Sequence, residues 1–486
     1  MNKPLRRVAI FCGLLVLALL VRVNWVQYVK ADELSNDPKN RRVQIDRYAH
    51  KRGNIIVDGK AITGSKESKS NDFKYQRTYK NGPMWAPVTG FSSQAFGSSQ
   101  IEALEDGILT GNDDRLFFDR TVSVFTGEKK QGGNVVTTLK SAAQKAAYKG
   151  LGDKKGAVAA IDPQTGAILA LASTPSYDPS VFSGNSNKDS DNRQKLLNHE
   201  DAPMKNRALR ETYPPGSTFK VVTAAAALEH GKVKDINEAT DTPEPYILPN
   251  TRTPMVNHAR GCENASLNKA MEVSCNSVFA KLGDEVSRDE MAKTAEKFGF
   301  NNSEIDTPVR AAESVYDTKM DRSSNAMSSI GQFNTAATPL QMAMVTAAIA
   351  NDGKLMKPYM IDRLTSSSLD LIEKTAPEEM SRPLSQENAQ LVQQMMENVV
   401  EKGTGGNAKI DGVKVGGKTG TAENGVGNMG KPYAWFISYA KTEKGSPVAV
   451  AVVVEDSRAV GGDITGGGLA APIAKDVMNA VLNGER

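Results

Sequence analysis

A serine and a lysine three positions apart, in Tyr213-Pro214-Pro215-Gly216-Ser217-Thr218-Phe219-Lys220, open an Ala-rich segment of helical character. Residues three apart share one helix face, so a neutral Lys220 amine can reach the Ser217 hydroxyl and take its proton. The start of a helix also directs unbonded N–H groups and the positive end of its dipole at a developing oxyanion. Phe219 and the apolar residues after it can desolvate Lys220 and lower its pKa, as a base working near neutrality requires. The chemistry implied is acyl transfer through Ser217. Spacing alone discriminates poorly, because Ser266-Leu267-Asn268-Lys269 and Ser438-Tyr439-Ala440-Lys441 match the same pattern. A helix-capping serine followed by a solvated lysine is the ordinary alternative at each of these places. The Pro-Pro-Gly entry, which fixes how the chain enters the helix, favours Ser217.

Two further elements follow downstream. Ser274-Cys275-Asn276 stands before the apolar run Val278 to Leu282 and sets a hydroxyl and an amide two positions apart. From a loop both can face a cleft, Ser274 relaying a proton and Asn276 holding a substrate amide; a helix-capping role is the plainer reading of the pattern by itself. Lys418-Thr419-Gly420-Thr421 ends a β-type run. On an edge strand Lys418 supplies positive charge, the Thr419 and Thr421 hydroxyls bind a carboxylate, and Gly420 lets a substrate backbone approach closely. The same strand can donate an N–H to an oxyanion hole. Next to Gly416-Gly417, the plain alternative is a glycine-rich turn.

The elements that must position these residues form a sheet with helices. Apolar β-type runs at 157–161 and 167–172 are split by the turn formers Asp162-Pro163-Gln164-Thr165-Gly166, which predicts a hairpin. Phe219 to His230 and Pro339 to Asn351 predict helices closed by Gly231 and Gly353. Val413 to Thr421, Trp435 to Ala440 and Val448 to Val454 predict strands, with a last helix near Pro472 to Leu482. Strands at both ends of a module with helices between pack as one sheet flanked by helices, an α+β domain. Upstream, residues 32–150 are polar, with a strand-like piece at Asn54 to Val57 and a helix from Ser141 to Lys149 closed at Gly150. Ser65 to Ser70 and Ser183 to Asn192 read as exposed polar loops. The expected division is 1–31, a short stub and membrane segment; 32–150, a stalk domain; and 151–486, the domain carrying the three elements.

Sixty Lys and Arg against 56 Asp and Glu leave a formal charge of +4, mixed along the chain, which gives no footprint for nucleic acid. Three cysteines and four scattered histidines lack metal-site spacing, so metal catalysis is not expected. Cys262 and Cys275 can form one disulfide in an oxidising compartment, geometry deciding it. At the amino terminus Lys3, Arg6 and Arg7 precede an apolar run from Val8 to Val21, followed by Arg22, Trp25 and Tyr28. Anchor and signal peptide are both consistent with that pattern; the bulky residues before Val29-Lys30-Ala31 suit cleavage poorly and favour an uncleaved anchor. Positive residues ahead of the run place the amino terminus inside and the remainder outside.

The order S-x-x-K, S-x-N, K-T-G resembles that of penicillin-binding proteins and serine β-lactamases. The resemblance extends along nearly the whole chain. Arg52-Gly53-Asn54-Ile55-Ile56-Val57-Asp58-Gly59 looks like the first box of class B penicillin-binding proteins, and Ala160-Ile161-Asp162-Pro163-Gln164-Thr165-Gly166 like the start of their transpeptidase domain. Gly331-Gln332, Thr338-Pro339-Leu340-Gln341 and Lys418-Thr419-Gly420-Thr421-Ala422-Glu423 are also family-like, and the chain most resembles the actinobacterial penicillin-binding protein A group. The resemblance implies Ser217 as acylated nucleophile, Lys220 as its base, and Ser274 with Asn276 as relay and substrate holder. It further implies that Lys418 and Thr419 bind the substrate carboxylate and that the Ser217 and Thr421 N–H groups form the oxyanion hole. The implied activity is peptidoglycan D,D-transpeptidation on stem peptides ending in D-Ala-D-Ala, with covalent capture of β-lactams and no cofactor. The implied partners are the membrane and a glycan polymerase of the SEDS type. Competing readings are a D,D-carboxypeptidase, a β-lactamase, which would be shorter and lack the stalk, and a β-lactam sensor or scaffold of the cell-wall machinery. Cys275 inside the S-x-N element departs from the pattern.

Overall fold

The computed structural model describes residues 3–35, 37, 40–68, 72–117, 131–424, 430–456 and 465–484 of the chain. Helix α1, Lys3–Tyr28, is 26 residues long and has no buried residue. At about 1.5 Å per residue it reaches roughly 39 Å, more than the roughly 30 Å of a bilayer's hydrocarbon core. Among the described residues it is the one helix long and apolar enough to cross a membrane.

The stalk follows. Strands β1 (Ile55–Val57), β2 (Lys60–Ala61) and β3 (Asn134–Thr137) belong to one sheet, β1 running parallel to β3 and antiparallel to β2. Beside it lies a buried ionic network: both Arg52 Nε and Arg77 Nε are 2.6 Å from Glu102, one on each carboxylate oxygen, and Arg52 Nη1 is 2.6 Å from Asp106. Glu102 and the Arg77 side chain are fully buried. Burial by itself would raise the Glu102 pKa, but the two guanidiniums more than offset this and hold it below the usual carboxylate range.

Helix α2 (Ser141–Leu151) leads to β4 (Lys155–Ile161) and β5 (Ile168–Thr174), the expected hairpin. Helices α3 (Lys220–Glu229), α4 (Asn276–Val286) and α5 (Pro339–Ala350) come next. The chain then returns to the stalk sheet, where β6 (Ile361–Thr365) pairs with β3 and β7 (Leu371–Lys374) pairs with β6. Residues 361–374, far along the sequence from the stalk, are thus part of its sheet. Helix α6 (Gln386–Glu401) precedes the long strands β8 (Lys414–Asn424), β9 (Gly430–Thr442) and β10 (Gly445–Asp456), and α7 (Ala471–Gly484) closes the fold.

The second sheet has the order β8-β9-β10-β4-β5 and is antiparallel throughout. Helices cover both faces, which is why β10 is apolar at nearly every position. Val448, Val450, Val452 and Val454 face the core shared with α2 and α7, while Ala449, Ala451 and Val453 face the larger core containing the wholly buried α5. Such period-2 partition leaves no polar face, and each valine so buried contributes about 1.5–3 kcal/mol.

Three local expectations are corrected. Thr63–Glu67 is a strand paired with Tyr75–Tyr79, so Ser65 to Glu67 are not loop; of the expected loop, residues 69 and 70 lie outside the described residues. Its residues have little intrinsic β preference, and the Tyr-rich partner strand decides the matter. Asn187–Leu197 is a helix, started by a capping box in which Ser186 and Asp189 bond each other's backbone. Finally, α2 continues through Gly150 to a cap at Gly152. Gly150 faces α7, where a Cβ would lie 2.9 Å from Ile473 Cγ2.

Candidate active site

Ser217 lies in a 3-10 turn, Gly216–Phe219, that runs directly into α3, so the expected helix start is a tight turn followed by the helix. The turn is held from two sides. Gly216 adopts φ +53°, and its N–H donates to the Gly331 carbonyl at 2.9 Å; a Cβ on Gly331 would strike the Gly216 carbonyl oxygen at 2.0 Å. The Trp435 indole N–H donates to the Pro214 carbonyl at 3.0 Å, and Thr218 Oγ1 donates to that of Pro215 at 2.7 Å. Gly331 stands in the family-like Gly331-Gln332 pair, which does not by itself tell of this contact, and Trp435 does not stand out in the sequence by type and spacing.

Lys220, the first residue of α3, is fully buried. Its Nζ lies 2.7 Å from Asn276 Oδ1, 2.8 Å from the Ser274 carbonyl and 3.2 Å from Ser274 Oγ. Ser274 ends the helix Leu267–Val273 in a left-handed conformation, φ +65°. That backbone geometry is uncommon for a residue with a side chain, and here it turns carbonyl and hydroxyl together toward Lys220. The disulfide Cys262–Cys275 forms, with Cα atoms 5.6 Å apart, so the middle residue of the S-x-N element is cross-linked to the preceding loop.

Lys418 comes from β8, the edge strand of the sheet, and is also fully buried. Its ammonium donates to Ser274 Oγ at 2.9 Å and to the Thr419 carbonyl at 3.0 Å. Ser274 Oγ therefore sits between two lysines whose hydrogen-bond partners are all neutral. Burial pulls Lys418 down to about 7. Lys220 falls well below the usual lysine range, mainly through burial and further through the charge of Lys418.

Thr419 is nearly buried and shares a 2.6 Å hydrogen bond with Thr404, whereas Thr421 is exposed. Gly420 faces inward: a Cβ there would meet Thr218 Cγ2 at 2.9 Å and the Pro215 oxygen at 3.0 Å. Its lack of a side chain makes room for the Ser217 turn. The fold thus joins Lys220, Ser274, Asn276 and Lys418 in one hydrogen-bonded cluster, places Ser217 one turn before Lys220, and sets Thr419, Gly420 and Thr421 alongside. The rejected matches do other work. Ser266 caps its helix by accepting from Lys269 N–H at 3.2 Å, and Ser438 is buried within β9 against Met478. Among the described residues no group of three or more His, Cys, Asp or Glu could hold a metal.

A serine at a helix entry, two depressed lysines around a second serine and an edge-strand K-T-G, on an antiparallel sheet covered on both faces, define a serine acyltransferase fold. The chain belongs to the penicillin-binding protein transpeptidase family, whose domain model matches residues 156–479. A penicillin-binding protein A dimerisation domain model matches residues 52–135. The chain is 39% identical to peptidoglycan D,D-transpeptidase PbpA of Mycolicibacterium smegmatis, covering 99% of each chain. It is 38% identical to the PbpA of Mycobacterium tuberculosis over the full length of both. The solved structure of M. tuberculosis penicillin-binding protein A as a ceftriaxone acyl-enzyme superposes with a TM-score of 0.84 at 37% identity, covering 90% of this chain and all of that one.

Proposed function

We propose that this chain is a membrane-anchored peptidoglycan D,D-transpeptidase that works through a Ser217 acyl-enzyme and is blocked by β-lactams at the same serine. The observation that carries the reading is the cluster around Ser274 Oγ, 3.2 Å from Lys220 and 2.9 Å from Lys418. Lys220, whose charged form is disfavoured by burial and by the charge of Lys418, takes the Ser217 proton as Ser217 Oγ attacks the penultimate D-Ala carbonyl. The new C–O bond forms as the C–N bond to the terminal D-Ala breaks, and the proton passes through Ser274 to the departing amine. An amine of a neighbouring stem then attacks the ester, releasing Ser217 and forming the cross-link. Ser217 and Thr421 N–H groups hold the oxyanion, Asn276 holds a substrate amide, and Lys418 with Thr419 and Thr421 attracts the terminal carboxylate.

The relatives of matching length support the assignment, being named peptidoglycan D,D-transpeptidases. Residues 1–31 are assigned to the stub and anchor, 32–150 to the stalk and 151–486 to the transpeptidase domain, from which residues 361–374 return to the stalk sheet. With Lys3, Arg6 and Arg7 at the start of α1, ahead of its apolar run, the chain crosses once and its catalytic domain lies outside the membrane. The Cys262–Cys275 disulfide fits an oxidising compartment. A SEDS-type glycan polymerase is the expected partner in the membrane.

Labelling with a fluorescent penicillin and mapping the modified peptide tests the nucleophile: the label falls on Ser217 and is lost in Ser217→Ala. Label at another residue, or label surviving that substitution, overturns the assignment. Incubation with lipid-linked precursor and a SEDS-type polymerase separates outcomes: cross-linked dimers support transpeptidation, whereas D-Ala release without dimers makes the chain a carboxypeptidase. Amino-terminal sequencing that begins at Asp32 would refute the uncleaved anchor.

A further inference from the structure

Helix α4 begins at Asn276 with Cys275 as its cap residue, and Cys275 has no side-chain hydrogen bond to give. The first N–H groups of a helix have no partner within it and need one from elsewhere. Here they find it far back in the chain. Asn257 Oδ1 accepts the Asn276 N–H at 2.7 Å and the Ser277 N–H at 3.0 Å. Its Nδ2 donates to Ser277 Oγ at 2.9 Å and to Glu244 Oε1 at 3.2 Å. The neighbouring carbonyl, that of Val256, accepts from Asn276 Nδ2 at 2.8 Å.

The last bond has a chemical consequence. A carbonyl can only accept, so Val256 forces the Asn276 amide nitrogen to its own side and turns Oδ1 to the other. That oxygen is the atom 2.7 Å from Lys220 Nζ. Asn257 fixes the backbone of Asn276, Val256 fixes its side-chain amide, and the Cys262–Cys275 bond ties the same loop to the residue between Ser274 and Asn276.

We infer that Asn257 is a positioning residue for Ser217 acylation: by capping α4 from outside, it holds the Asn276 carbonyl oxygen and the Ser274 hydroxyl on Lys220. It touches none of the reacting groups and acts through Asn276. The inference rests on the acyl-transfer reading above.

The test uses the full-length protein in detergent and the second-order rate of labelling by a fluorescent penicillin, below the unfolding temperature of every variant. Asn257→Ala slows labelling about tenfold or more, since small displacements of catalytic groups cost that much. Asn257→Asp, made in a Glu244→Gln background so that no second carboxylate faces the new one, keeps an acceptor for both N–H groups, and Ser277 Oγ can donate to it; labelling returns to within about threefold of the Glu244→Gln protein. The double variant Asn257→Ala/Asn276→Ala labels no more slowly than Asn276→Ala alone, because both changes remove the same action. Wild-type labelling in Asn257→Ala, no recovery in Asn257→Asp, or losses that multiply in the double variant would overturn the inference. If Asn257→Ala does not fold, the Asn257→Asp rate decides by the same criterion. Ser217→Ala serves as the control: label persisting there defeats the acyl-transfer reading itself, whereas a silent Ser217→Ala beside an unaffected Asn257→Ala defeats this inference alone.

Discussion

Replacing Lys418 by methionine isolates the electrostatic part of the mechanism, because the side chain keeps its length and loses its charge. Lys220 and Lys418 lie 3.2 and 2.9 Å from the same Ser274 oxygen, so their nitrogens are at most about 6.1 Å apart, the sum of those distances. At that separation two unit charges repel by about 2.7 kcal/mol for an effective dielectric constant near 20, and by more if they are closer. Burial lowers Lys418 to about 7, and the charge Lys418 carries when protonated adds to the burial that lowers Lys220, so Lys418 opposes protonation of Lys220. Removing Lys418 therefore raises the Lys220 pKa, while the burial that lowers it most remains. Acylation needs neutral Lys220, and its rate falls as pH drops through the Lys220 pKa. The acid limb of the pH profile for second-order β-lactam acylation should move to higher pH in Lys418→Met. The plateau falls as well, through lost carboxylate binding, but amplitude and midpoint are separate parameters of one profile. A midpoint that stays in place, or moves to lower pH, would refute the claim that Lys418 holds Lys220 in its neutral form.

Gly420→Ala drives a Cβ into Thr218 Cγ2 and the Pro215 oxygen at 2.9 and 3.0 Å, parting β8 from the Ser217 turn. Acylation should fall about a hundredfold, as for a displacement near 1 Å, and an unchanged rate would show the turn to be free of the strand. Glu102→Ala leaves the buried Arg77 without its carboxylate and Arg52 with Asp106 alone. Thermal unfolding should register about 3–5 kcal/mol of lost stability, with penicillin labelling of the folded protein preserved. In the native protein the lowered Glu102 pKa gives stability that is fully present above the unfolded value near 4.3 and is lost as pH falls through the folded value. The difference between the native protein and Glu102→Gln should accordingly shrink in acid, which urea titrations at several pH values measure. Reducing the Cys262–Cys275 bond reopens a loop of 13 residues and should cost about 3 kcal/mol, read as a lower melting temperature in reductant that Cys262→Ser matches.

The sheet and its helices were legible because their pattern is local. β10 announces itself as a run of valines and alanines, and α5 as a run of buried alanines and methionines between Thr338 and Gly353. Where local preference and tertiary pairing disagree, sequence reading failed. Thr63–Glu67 has the composition of a loop and becomes a strand because Tyr75–Tyr79 pairs with it. The return of residues 361–374 to the stalk sheet leaves no trace in periodicity, since a strand looks the same whichever sheet it joins.

The site divides along the same line, and the division has a physical origin. Ser217 and Lys220 are one helical turn apart, so their relation is a local spacing that recurs by chance at Ser266 and Ser438. What separates the true site from those copies is the pair of long-range contacts that bury Lys220: Ser274 and Asn276 on one side, Lys418 on the other. Motif order detects that convergence indirectly, because three short patterns in a fixed sequence rarely coincide unless a fold unites them. The support behind them has no comparable pattern. Gly331 against Gly216, Trp435 on Pro214 and Asn257 at the start of α4 are ordinary residue types in ordinary surroundings, and each matters through a backbone group more than 15 residues away. A depressed lysine is therefore a property of the assembled sheet and helices: take away the edge strand or the loop that holds Asn276, and Ser217-x-x-Lys220 reverts to a capped helix with a charged lysine.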